Sequence, residues 1–204
     1  MSQATHEHNY ISVDMSQLCV KITRIRTADE RFGASLSLMH DSFVDDELRL
    51  DDELRTLTDN NPLFSYNVIE DSGDERIGVI TTWNFGKCLY VEHFAIEPAR
   101  RGAGYGGAVI NKLTEISRQP IILEVEPPEM SVDAARRVSF YEKLGFAEWQ
   151  TPYIQPAYAE GKKPVPMMLM SKGLAETLEC AGVVTALLHK HVYGVKSPAS
   201  LATY

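Results

Sequence analysis

Apolar and polar positions change period several times along the chain, and each change marks an element. Val20, Ile22 and Ile25 are β-formers in a predicted strand over Cys19–Arg26. Phe32, Leu36 and Met39 recur at helical spacing, which predicts a helix to about Phe43 with Asp29 placed to cap it. An acidic helix follows over Leu48–Thr58 and stops at Asn60-Asn61-Pro62. Phe64–Glu70 and Arg76–Asn84 predict a strand pair joined by the turn Asp71-Ser72-Gly73-Asp74. Leu89–Ile96 is a further strand, and Ala108–Arg118 carries a helical pattern. The short apolar run Ile121–Glu126 predicts a buried strand, ended by Pro127-Pro128. Ser131 can cap a helix on Ala134, Val138, Tyr141 and Leu144, with Gly145 as the left-handed residue that closes it. Phe146–Gln150 and Val165–Ser171 complete the strands, separated by a polar and aromatic loop, Gln150–Pro164. Leu174, Leu178, Ala181, Val184, Leu188 and Val192 predict one more amphipathic helix. This order predicts an α/β fold with a mixed sheet of about seven strands and about five helices.

Bulk properties narrow the partners. The 204 residues are 44% hydrophobic and 24% charged, values of an ordinary globular chain, so one domain with some tail is expected. A flexible tail is assigned to residues 1–18 and the domain to 19–172. Residues 173–204 form a helix and tail packed on the domain or at a homodimer interface. The net charge of −8 argues against nucleic acid and is compatible with a cationic small molecule. Cys19, Cys88 and Cys180 contain no CxxC pair, so neither a disulfide framework nor a metal site is expected. His6 and His8 read as part of a solvated tail, since nothing nearby completes a coordination sphere. Met1–Gln17 has no apolar core of a signal peptide and no run reaches membrane-spanning length, which predicts a cytoplasmic protein with no membrane partner.

The candidate chemistry centres on Arg101-Gly102-Ala103-Gly104-Tyr105-Gly106-Gly107, where four of the thirteen glycines fall. A strand precedes this turn and a helix follows it, so backbone N–H groups and the helix N-terminus can converge on a phosphate. The spacing does not fit a dinucleotide fingerprint, and no Gly-Lys-Ser or Gly-Lys-Thr ending supplies a P-loop. Arg101-x-x-Gly104-x-Gly106, behind Phe94-Ala95-Ile96-Glu97-Pro98, resembles the pyrophosphate-binding motif of the GNAT acetyltransferases. Phe140-Tyr141-Glu142-Lys143-Leu144-Gly145-Phe146, about forty residues on, resembles the second signature of that superfamily. The Tyr-x-Gln-Pro-x-Tyr loop Tyr153–Tyr158, before a last strand Pro-Met-x-Leu-Met at Pro166–Met170, is similar to a bacterial branch of it.

The resemblance implies a GNAT-like, mostly antiparallel sheet with a splayed parallel central pair, Leu89–Ile96 and Ile121–Glu126, holding acetyl-CoA. It maps the pantetheine arm to Phe94, Ala95 and Ile96, and the pyrophosphate to Gly102 through Gly107 beside Arg101. It implies an N-acetyltransferase working by direct attack in a ternary complex, with a small-molecule amine favoured over a protein acceptor. The other reading is a non-catalytic acyl-CoA-binding or sensing module. Many relatives carry Asn seven residues before the helix Tyr; this chain has Ala134, with Asp133 as a replacement.

An alkylamine must lose a proton before it attacks a thioester, so a general base is needed. Strict alternation would put Tyr90, Glu92, Phe94 and Ile96 on one face of their strand, opposite Leu89, Val91, His93 and Ala95. Glu92, alone as a carboxylate in this strand, is the candidate base; the competing reading is an edge or partly solvated carboxylate, or one salt-bridged to a neighbouring strand. His93 is the rival base, or a packing histidine. Relatives use the tyrosine at the position of Tyr141 to protonate the CoA thiolate; the plainer reading is core packing. Tyr90, Tyr153 and Tyr158 are candidate acceptor-site residues. Cys88 is a conceivable acyl carrier, though direct attack suffices. Arg136-Arg137 can reach a CoA phosphate or face solvent. Asp41, Asp45, Asp46, Glu47, Asp51, Asp52 and Glu53 can attract a cation or form a solvated face.

Overall fold

In the computed structural model residues 18–195 are described, so the assignments at His6, His8 and both tails lie outside the described residues. Among the described residues eight strands and five α-helices follow in the order β1 (Lys21–Arg24), α1 (Arg31–Ser42), α2 (Asp51–Asn60), β2 (Phe64–Glu70), β3 (Arg76–Asn84), β4 (Leu89–Ile96), α3 (Tyr105–Ser117), β5 (Ile121–Val125), α4 (Val132–Lys143), β6 (Ala147–Glu148), β7 (Tyr153–Gln155), β8 (Val165–Lys172) and α5 (Leu178–His191). The sheet runs β1-β2-β3-β4-β5-β8-β6, with β7 on β8. Every pairing is antiparallel except β4 with β5. β7 is the addition to the predicted seven: the expected loop folds its first part back onto β8, with Tyr153 opposite Met167.

Helices cover both faces. On one, Phe32, Leu36 and Met39 of α1, Leu54 of α2 and Ala181, Val184 and Leu188 of α5 pack on Tyr66, Trp83, Tyr90, Ile122 and Leu169. On the other, Val109, Ile110 and Leu113 of α3 and Val138 and Tyr141 of α4 pack on Ile80, Leu89, Val91, Ile121 and Leu123. The C-terminal helix is therefore part of the domain core. It starts later than predicted, capped by the Thr177 hydroxyl, and Leu178 is 89% exposed because it falls on the outer face.

Three other boundaries move for local reasons. Asp29 does not cap α1: the helix starts at Arg31 with Glu30 at the N-cap and no side-chain cap, while Asp29 Oδ1 accepts the Arg31 N–H at 3.0 Å from one residue further out. α2 starts at Asp51, because Asp45–Glu47 form a separate 3-10 turn; Asp51, Asp52 and Glu53 then occupy the positive end of its dipole. α3 starts at Tyr105, within the glycine stretch, because Gly104 takes the left-handed conformation (φ 89°) at its N-cap.

The most consequential departure is a β-bulge. Thr82 pairs with Val91 and Thr81 with His93, so Glu92 is an extra residue on β4. Beyond it the alternation inverts. Phe94 and Ile96 pack on the side of Leu89 and Val91, whereas Ala95 returns to the side of Tyr90. Glu92 keeps its assigned face with Tyr90, but the faces assigned by strict alternation are wrong from His93 onward, since a bulge resets the period by one residue.

Candidate active site

The parallel pairing of β4 and β5 is short. Leu89, Tyr90 and Val91 face Ile121, Ile122 and Leu123, and there the register stops although both strands continue. A cavity of about 240 Å³ lies where they part, lined by Val91 through Ile96 from one strand and Leu123, Glu124 and Val125 from the other. Phe94, Ala95, Ile96, Arg101, Tyr141 and Tyr158 all reach it. Because the sheet is split here, the gap joins two layers: Tyr141 comes from the α3/α4 layer and Tyr158 from the opposite one.

A second hollow, about 310 Å³, is lined by Ile96, Arg100, Arg101, Gly102, Gly104, Gly106, Gly107 and Phe140. Ile96 and Arg101 line both, so the two hollows adjoin. Arg101 is fixed there, its Nε donating to the Ile96 carbonyl at 2.8 Å. Among the described residues, none of the amides from Gly102 to Gly107 has a hydrogen-bond acceptor. Gly102 (φ 78°) and Gly104 hold the turn in conformations that other residues adopt only under strain. A Cβ on Gly106 would lie 3.2 Å from Phe140 Cζ. Unpaired donors at a helix N-terminus beside a guanidinium suit a pyrophosphate. Ala103 and Tyr105 do not line the hollow; their share is the backbone N–H.

Glu92 has a different setting from the one a base requires. Its side chain is 0% exposed, and Arg49 on the approach to α2 is its ion-pair partner at 2.8 Å. Arg49 Nε and the Tyr158 hydroxyl each donate to Oε1 at 2.9 Å, and Trp83 Nε1 donates to Oε2 at 2.8 Å. Burial opposes the charge, but Arg49 and these donors outweigh it and hold the carboxyl below its ordinary value. Paired with a buried guanidinium and low in proton affinity, Glu92 is disfavoured as acceptor of the amine's proton. His93 has both ring nitrogens placed, Nδ1 3.2 Å from Thr81 Oγ1 and Nε2 2.8 Å from the Glu47 carbonyl, and burial lowers its pKa. It packs as a satisfied histidine, but toward Phe43 and Tyr158 and not beside Leu89 and Val91.

Tyr141 is buried at the edge of the cavity, and its hydroxyl has no hydrogen-bond partner among the described residues. Burial, opposed by Arg137, pushes its pKa up to about 12, so it remains a proton donor at neutral pH. Tyr90 and Tyr153 stand behind the cavity wall. The Tyr153 hydroxyl donates to Glu124 Oε1 at 2.6 Å, and the Tyr90 hydroxyl is 3.3 Å from that of Tyr193. Arg137 reaches the cavity while held by Glu126 at 3.1 Å; Arg136 pairs with Asp133 in solvent at 3.0 Å. Asp133 is therefore turned away from the site and does not replace the missing asparagine. The Cys88 thiol is buried and its pKa raised by burial, the opposite of an activated nucleophile. Of the acidic run only Glu47 lines the cavity; Glu53 pairs with Arg49 at 2.7 Å and Asp51 with His40 at 3.0 Å.

The acetyltransferase (GNAT) family matches residues 30–146. A GNAT-family protein of Bacteroides thetaiotaomicron is 39% identical, superposing with a TM-score of 0.82 over 86% of this chain and 99% of its own. This chain belongs to the GNAT acetyltransferase family. The GNAT fold is shared more distantly by the spermidine N-acetyltransferase of Vibrio cholerae. Its complex with CoA and spermine is 20% identical (TM-score 0.54, 74% of this chain, 94% of that one). Its dodecameric form is 18% identical (TM-score 0.53, 74% and 92%). No curated protein matches the sequence.

Three residues of this GNAT site escape a sequence reading. Arg49 sits in an acidic segment and gives no sign of its inward turn. Tyr193 follows the last predicted helix position. Glu124 does carry a signal: a carboxylate flanked on both sides by apolar residues inside a buried run.

Proposed function

We propose that this acetyltransferase moves the acetyl group of acetyl-CoA to the amine of a small molecule, by direct attack within a ternary complex. The supporting observation is that the strand gap adjoins the glycine turn, with Ile96 and Arg101 lining both. The turn offers unpaired amides and Arg101 to a pyrophosphate, Phe94 to Ile96 border the path of a pantetheine arm, and Tyr141 borders its end. In that position Tyr141 would supply the proton that the thiolate takes on departure. The buried Cys88 thiol speaks against an acyl-enzyme. A small acceptor suits a cavity of about 240 Å³ walled by Glu47, Gln155 and Tyr158. The V. cholerae protein, a spermidine N-acetyltransferase, is a polyamine case within the same fold. Three free cysteines and a CoA thioester donor fit a cytoplasmic enzyme; among the described residues no helix is long and apolar enough to cross a membrane.

The test combines thermal stabilisation by acetyl-CoA with release of CoA thiol over a panel of alkylamines, spermidine included. Stabilisation and turnover are expected. Stabilisation by ATP or NAD but not by CoA would refute the reading. Tight acetyl-CoA binding without turnover on any amine or peptide would replace it with a binding module.

A further inference from the structure

The first residues beyond the last β4–β5 pair are two carboxylates. Glu92 follows Val91 on β4 and Glu124 follows Leu123 on β5, and both line the cavity. Glu92 is neutralised by Arg49. Glu124 has no cation within ion-pair distance among the described residues. Its partners are phenols: Tyr153 donates to Oε1 at 2.6 Å, Tyr193 donates to Oε2 at 2.9 Å, and Tyr90 stands within the same group. A buried carboxylate without a counter-charge is unstable as an anion, so such a site favours a ligand that brings one. The gap also sets Glu124, on the sheet face of Tyr90 and Ile122, across from Tyr141, which comes from the other layer. A thioester lying in the gap therefore has a carboxylate on one side and a phenol on the other.

Resting on the acetyl-transfer reading above, we propose that Glu124 is the residue that receives the acceptor, its carboxylate binding the alkylammonium group and taking the proton that must leave before nitrogen attacks. The charges around it decide when it can do so. Tyr90 and Glu92 face it from β4, Tyr153 from β7, Tyr158 from the loop after it, and Tyr193 from the end of α5, with His189 behind Tyr153 and Arg49 behind Glu92. β8 contributes Leu169 and Met168, which do not titrate. Burial pushes the Glu124 pKa up to about 7, against the pull of the Tyr153, Tyr193 and Tyr90 hydroxyls. An arriving ammonium favours the ionised carboxylate, and the proton then passes along the ion pair.

The protons balance. The ammonium gives one to Glu124, and the freed lone pair forms the C–N bond at the thioester carbonyl. The C–S bond breaks with its electron pair on sulfur, and the second nitrogen proton ends on the thiolate, relayed through Tyr141. Glu124 returns its proton to solvent. Glu92 and Glu124 thus divide the work of two carboxylates whose environments push them apart, one permanently charged and one exchanging a proton.

The test uses n-butylamine and methoxyamine, a far weaker base whose conjugate acid is far stronger, with wild type, Glu124→Gln and Tyr153→Phe. Wild-type kcat/KM for butylamine is expected to rise with pH through about 7, because the ionised form accepts the proton. Glu124→Gln should lose this limb and about 10²–10⁴-fold in kcat/KM, while acetyl-CoA binds within about twofold of wild type, which also verifies folding. Its loss should shrink with methoxyamine, which arrives already neutral. Tyr153→Phe removes a donor that favours the anion, so the limb should move to higher pH and the plateau persist. Butylammonium should stabilise the wild type, without CoA, and not Glu124→Gln. An unchanged limb and rate in Glu124→Gln, or failure of butylammonium to stabilise the wild type, would overturn the proposal. Failure of acetyl-CoA to bind wild type would instead overturn the functional reading on which it rests.

Discussion

Arg49→Met should show how strongly the buried ion pair holds the site together. The Arg49 and Glu92 side chains are 2% and 0% exposed. Arg49 Nη1 also pairs with Glu53 at 2.7 Å, Nη2 donates to the Val192 carbonyl, and the guanidinium lies 4.7 Å from the Tyr158 ring centroid. Methionine keeps the stem and removes every one of these contacts, leaving a buried carboxylate with only Trp83 and Tyr158 as donors. Breaking one partner of such a pair costs about 3–5 kcal/mol, which in a chain of this size lowers Tm by roughly 10 °C. The pH dependence has a defined sign. In wild type the Glu92 pKa is lowered, so its contribution is present above the ordinary carboxylate pKa and fades as pH falls through the folded value. Without Arg49 burial dominates and the pKa rises, so the variant is penalised at high pH and recovers as Glu92 protonates. The gap between the two proteins, measured by urea unfolding, should be widest at pH 8 and narrower at pH 5. The double variant Arg49→Met/Glu92→Gln should regain much of the loss, since it removes the stranded charge and keeps an acceptor for Trp83. A gap under about 1 kcal/mol at pH 8, or one independent of pH, would refute the assignment of this pair.

Three further outcomes follow from the geometry. Tyr141→Phe should lower kcat by about 10²-fold or more with acetyl-CoA binding intact, measured by release of CoA thiol; an unchanged kcat would return Tyr141 to a packing role. Gly104→Ala places a Cβ at φ 89°, a strain of about 1–3 kcal/mol, and should weaken acetyl-CoA binding by calorimetry more than it lowers Tm. Gly78→Ala would set a Cβ 2.5 Å from the Ala95 carbonyl oxygen; β3 and β4 must then separate, and Tm should fall by several degrees, for about 1–3 kcal/mol.

Much of the fold was legible because periodicity and punctuation are local. The glycine turn, the Ser131 cap and the Gly145 stop each depend on a few adjacent residues, and each appears in the structure where those residues lie. The site was legible as far as it consists of backbone. Gly102 to Gly107 and Phe94 to Ile96 are contiguous, so their motif survives as a string.

What the sequence by itself determined is therefore the α/β order of elements, the glycine turn at the start of α3 and the kinship it carries. The tertiary structure decided which charges are free. Glu92 and Glu124 look alike in sequence, each a carboxylate in a buried strand. Arg49, 43 positions from Glu92, neutralises one; Tyr193, 69 positions from Glu124, caps the other with a neutral phenol. The one-residue bulge at Glu92 also reversed the faces beyond it, a consequence of pairing with β3 that no alternation pattern records. A proton affinity is set by the charges and solvent around a group, and folding is what assembles them.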